Sequence, residues 1–130
     1  MNDGADAIVA AIIAKWCAGF ATLDATAQAS LYARNAFFFG FNPNLYRGRD
    51  GVADYVNGLP LWCAPRVTFS DVASAPVAPD AINMAGIASF DLGEEHPLLS
   101  VKITWVIVRE DGDWKIASHH VSARIPLMER

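Results

Sequence analysis

Residues 98–110 and 113–125 are two long stretches that alternate in polarity, and only Asp111 and Gly112 stand between them. A two-residue loop of this composition suits a type I′ turn. That turn needs positive φ at both central positions, which glycine adopts freely and aspartate tolerates. The pair therefore predicts a β-hairpin and with it a register. Glu110 faces Asp113, and counting outward pairs Arg109 with Trp114, Ile107 with Ile116, Trp105 with Ser118 and Ile103 with His120. These side chains share one face with Val101 and Ser122. The opposite face carries Lys102, Thr104, Val106, Val108, Lys115, Ala117, His119 and Val121.

Two further period-two runs, about 66–78 and 81–92, precede the hairpin. Upstream of Pro65 the spacing is helical instead. Val9, Ile12, Ile13, Trp16, Phe20 and Leu23 recur on one face of a helix over 6–23, with Asp6 available as its N-cap. Asp24 can cap a second helix running through Ala33, with Leu31 and Tyr32 on its inner side. Residues 36–41 read as a short buried strand and 42–48 as a loop. Asp50 can cap a third helix carrying Val52, Tyr55, Val56 and Leu59, stopped by Gly58 or Pro60. Helices first and a strand meander after them predict an α+β fold, an antiparallel sheet covered on one face by helices.

The hairpin register separates the adjacent histidines. Successive residues of a strand point to opposite faces, so His119 and His120 cannot share one metal ion. The face with Trp105 and Ile107 is the more apolar and belongs under the helices, which turns His120 inward. The other face is too apolar for open solvent and too polar for a core. Such a face suits contact with another protein surface, and His119 goes with it.

Composition narrows the functional classes. At 130 residues the chain has the size of one domain, with a core over about 6–126. A net charge of -4 lacks the basic patch that nucleic acid or an anionic membrane surface asks for. The apolar run 7–14 has acidic flanks and is too short to span a bilayer, so a cytoplasmic protein is expected. Cys17 and Cys63 read as reduced thiols in apolar surroundings, without metal-ligand spacing. Arg47 and Arg49 flank Gly48 and are expected to pair with Asp50 or Asp54. No glycine-rich strand-to-helix turn, triad or zinc spacing is present, so neither a cofactor nor a metal is indicated.

The helical N-terminus with Trp16, "LYARNAFFFG", "YRGRDGVADYV" and "TWVIVREDGDWKIASHHVSARIP" resemble the nuclear transport factor 2-like superfamily. Within it the chain is similar to SnoaL-like proteins and to bacterial relatives of the calcium/calmodulin-dependent protein kinase II association domain. The resemblance implies a cystatin-like cone, a curved sheet wrapped round helices with a ligand pocket at its wide end. It also implies homodimers formed through the outer sheet face, here Thr104, Val106, Lys115, Ala117 and His119. The pocket is expected to include Trp16, Tyr32, Tyr55, Trp105, Ser118 and His120. Association domains of the kinase carry an arginine where this chain has Trp105, so a mostly apolar ligand is expected. The tyrosine and two aspartates of ketosteroid isomerases have no recognisable counterpart, although Tyr32 and Asp91 exist. Two functions follow from the resemblance. One is a small-molecule-binding, dimer-forming domain. The other is a cofactor-independent isomerase, cyclase or dehydratase with His120 as general acid or base.

Overall fold

The computed structural model describes residues 3–128. Helix α1 (Asp3–Ala21) buries Val9, Ile12, Trp16 and Phe20, four residues that spacings of three and four place on one face. It begins upstream of Asp6, whose carboxylate accepts from Ser74 Oγ instead of capping the helix. At 19 residues α1 is longer than its apolar run. By length and composition it could cross a membrane, but its apolar face forms the core.

Helix α2 (Ala25–Ala29) is capped as expected, with Asp24 Oδ1 accepting from Ala27 N–H at 3.0 Å. It is far shorter than the sequence suggests. From Tyr32 onward the chain becomes strand β1 (Tyr32–Phe39), and the carbonyl of Leu31 accepts from Ile116 N–H at 2.9 Å. β1 is not buried throughout: Phe38 lies in the core, while Phe37 is half exposed on the other face. A three-residue strand β2 (Leu45–Arg47) occupies what reads as loop, and helix α3 (Gly48–Asn57) follows directly. Arg47 stands at its N-cap without a side-chain bond, and Asp50 lies in the first turn, where a carboxylate faces the positive end of the helix dipole.

Strands β3 (Arg66–Ala78), β4 (Ala81–Asp91), β5 (Leu99–Glu110) and β6 (Asp113–Ala123) complete a six-stranded sheet in the order β2-β1-β6-β5-β4-β3. Four of its pairings are antiparallel, but β1 runs parallel to β6, so the sheet is mixed rather than purely antiparallel. It is curved and unclosed. One source of curvature is visible between β3 and β4. The register shifts between Ser70 and Ala73, Asp71 takes φ 52°, and Gly86 opposite leaves room for Val72.

The Asp111-Gly112 hairpin has positive φ at both turn residues, 54° and 82°. Pairing follows the expected register from Glu110↔Asp113 as far as Ile107↔Ile116. There a β-bulge intervenes. Ala117 is the extra residue, and beyond it Val106 pairs with Ser118, Trp105 with His119 and Thr104 with His120. A slip of one residue turns every later side chain to the other face. The bulge brings Val121 into the core on the same face as Ile116 and leaves Ser118 and Ser122 half exposed. Burying an apolar side chain of that kind contributes about 1.5–3 kcal/mol. Two serine hydroxyls in its place would need partners.

Candidate functional site

With the bulge in place, His119 points under the helices and His120 points outward. His119 is 2% exposed, whereas His120 is exposed and packs its ring edge against Phe39. The expected assignments of the two histidines are therefore reversed. Ser118 leaves the pocket with His120. His119 and Ala117 leave the expected interface set, the first for the core and the second for the bulge. Thr104 and Val106 remain on the outer face, and Lys115 reaches across to the carbonyl of Ser30 at 2.7 Å.

Around His119 the aromatic side chains of α1, β1 and β5 form one hydrogen-bonded chain. Trp16 Nε1 donates to Tyr32 Oη at 2.9 Å. Tyr32 Oη lies 2.9 Å from His119 Nδ1, and Trp105 Nε1 donates to that same nitrogen at 2.9 Å. An indole N–H can only donate, so Nδ1 must be unprotonated, and Tyr32, which accepts from Trp16, is left to donate. The neutral imidazole then carries its proton on Nε2. Burial, and secondarily the neighbouring His120, push the His119 pKa down to about 3. Burial likewise raises Tyr32 well above the ordinary phenol range. Phe38 stacks on the imidazole at 4.0 Å between centroids, with the ring of Trp16 nearly parallel at 6.1 Å.

His119 lines a cavity of about 20 Å³, room for one water-sized group. Trp16, Tyr32 and Tyr55 line it too, whereas Trp105 stands behind His119 as its donor. The remaining wall is almost wholly apolar, with Phe20, Phe38, Phe41 and Phe90 prominent. One polar group breaks it. Gln28, 2% exposed, is among the lining residues, and its Oε1, packed against Gly19 of α1, is unpartnered among the described residues. At the mouth, Tyr55 Oη accepts from Phe41 N–H at 2.8 Å, and burial raises the Tyr55 pKa to about 12. Phe41 is 39% exposed and packs edge-on against Phe90.

Residues 9–128 match the family model of the SnoaL-like domain. The chain belongs to the SnoaL-like family. This SnoaL-like protein also has the nuclear transport factor 2-like, cystatin-like fold of several solved structures. A candidate calcium/calmodulin-dependent protein kinase II association domain from Xanthomonas campestris is 24% identical, with a TM-score of 0.80 over 92% of this chain and 87% of its own. A candidate scytalone dehydratase from Novosphingobium aromaticivorans is 15% identical, TM-score 0.82, covering 95% and 87%. A cystatin-like domain from Nostoc punctiforme is 14% identical, TM-score 0.82, covering 98% and 82%. At such identities the likeness is one of fold. No curated protein shows significant sequence similarity to the chain.

Several residues of the SnoaL-like chain fall elsewhere than their sequence suggests. Asp91 pairs with Arg66 at 3.1 Å on the surface, apart from Tyr32. Arg49 bonds Glu110 and the Tyr32 carbonyl rather than a neighbouring aspartate, and Arg47 lies over the Phe37 ring. Cys63 is exposed, and only Cys17 is half-buried. Among the described residues no three metal-ligating side chains are grouped as a metal site requires. Gln28 carries no sequence signal at all, because an amide on a short helix reads as surface.

Proposed function

We propose that this protein binds a small molecule whose uncharged, mostly apolar part fills the cavity beside His119, and that this part presents a hydroxyl or amine to Gln28. The observation that carries this reading is the orphaned Oε1 of Gln28. A buried acceptor left without a partner costs about 1–3 kcal/mol, and a ligand donor would recover it. His119 Nε2–H offers the complementary donor. A phenol or alcohol satisfies both, since its oxygen accepts while its hydrogen is donated. The cavity is too small for a ring in the unliganded state, so the ligand enters by displacing Phe41.

Binding is favoured over proton transfer. Nδ1 of His119 is held by two donors, Nε2 already carries a proton, and no Asp or Glu lines the cavity. The isomerase, cyclase or dehydratase reading requires a proton acceptor that this lining does not supply. We further propose a cytoplasmic homodimer paired through the outer sheet face, where Phe37, Thr104, Val106, Ser118 and His120 come together.

The test is Gln28→Leu with p-cresol as the probe. The variant should be about 1 kcal/mol more stable than the parent when free, because an unsatisfied polar group is gone. It should also lose the rise in Tm that p-cresol gives the parent. A variant that is destabilised, or that keeps the full p-cresol shift, would overturn the reading.

A further inference from the structure

On the far side of Phe41 lies a surface groove of about 370 Å³, between the ends of β5 and β6 and the residues that follow β6. Gly40, Phe41 and Val121 line both this groove and the inner cavity. The two spaces are thus neighbours, with the side chains of Phe41 and Val121 lining both. Phe41 is well placed to move. It is partly exposed, follows a glycine, and is held by ring contacts with Phe90 at 5.0 Å and Tyr55 at 6.5 Å plus one backbone hydrogen bond. A ligand that displaces the Phe41 ring would lie in both spaces at once.

The groove differs from the cavity in charge. Its floor is apolar, with Leu99, Val101, Val121 and Ile125, but Arg124 stands in its lining. Arg124 has no ion pair or hydrogen bond among the described residues, whereas Arg34, Arg49 and Arg66 are each paired with a carboxylate. In a chain of net charge -4, an uncommitted guanidinium beside an apolar floor selects an anion carried on an apolar body.

We infer that the cavity and the groove form a single binding site divided by Phe41, and that its ligand is an amphipathic monocarboxylic acid. The hydroxylated apolar head reaches Gln28 and His119, and the carboxylate lies against Arg124. The inference rests on the cavity reading given above and adds the second half of the site. It also assigns Arg124 as the residue that distinguishes an acid from its neutral analogue.

Three probes separate the two claims: p-cresol, 3-(4-hydroxyphenyl)propanoate and 3-(4-hydroxyphenyl)propanamide. Kd is measured by calorimetry on the parent, Arg124→Gln and Gln28→Leu. The acid should bind about ten-fold or more tightly than the amide, a preference typical of one charge-assisted contact. Arg124→Gln should erase that preference and leave the Kd of the amide unchanged. If acid and amide bind equally, or the preference survives Arg124→Gln, the inference is wrong, even if p-cresol still binds in a Gln28-dependent way. If the acid binds with its preference intact but Gln28→Leu changes nothing, the cavity reading fails and the single site falls with it, since the acid then binds at Arg124 alone. No binding of any probe removes both.

Discussion

Trp105 and His119 face each other across the last hairpin, and the indole N–H of the first donates to Nδ1 of the second at 2.9 Å. That contact exists only because Ala117 bulges. It fixes the tautomer of a buried imidazole and so decides what His119 can offer a ligand. An indole thus holds a neutral histidine.

Acid should weaken the fold through this histidine. The folded-state pKa lies near 3, below the ordinary value of 6.5, so the unfolded chain binds the proton first. Stability contributed by neutral His119 is complete above about pH 6.5 and falls as pH drops towards 3, at up to about 1.4 kcal/mol per pH unit. Urea denaturation of the parent and His119→Gln between pH 4 and pH 8 checks this. The parent should show the steeper acid slope.

Tyr32→Phe should cost about 1–3 kcal/mol although it keeps the ring. It removes the acceptor of the buried Trp16 indole and one of the two donors to His119. Thermal unfolding of this variant beside Tyr46→Phe, whose hydroxyl bonds the partly buried Asn42, should give the larger loss at Tyr32.

Gly40→Ala should deform the mouth of the cavity. A Cβ built at Gly40 would lie 2.4 Å from the ring carbon Cζ and hydroxyl of Tyr55, and that ring is held by its bond from Phe41 N–H. We expect a loss of about 1–3 kcal/mol, as for overpacking elsewhere, and weaker p-cresol binding. A crystal structure of the variant should show Tyr55 displaced.

His120→Ala should leave monomer stability within about 0.5 kcal/mol, as for other exposed side chains. It should weaken self-association measured by analytical ultracentrifugation, and Phe37→Asp should weaken it further, since Phe37 is 50% exposed on the same face.

The helix-then-meander order and the Asp-Gly turn were legible in the sequence because each rests on local periodicity or local turn chemistry. So was the inward face of β5, where Ile103, Trp105 and Ile107 alternate without interruption. The bulge was not legible from the turn, because a register counted outward assumes unbroken alternation. One signal was available. Ile116 and Val121 are five residues apart, an odd spacing, so both can face the core only if one residue is looped out between them. The parallel pairing of β1 with β6 and the early end of α2 follow from tertiary contacts that no local pattern encodes. Gln28 was invisible for another reason: its importance lies in a partner it lacks.

The most direct test is a side-chain nitrogen NMR spectrum of His119 and His120 during a p-cresol titration at neutral pH. His119 should be neutral with its proton on Nε2, and p-cresol should shift its Nε2–H while His120 barely responds. A free protein in which Nδ1 of His119 carries the proton, or a titration that moves His120 and leaves His119 still, would contradict it.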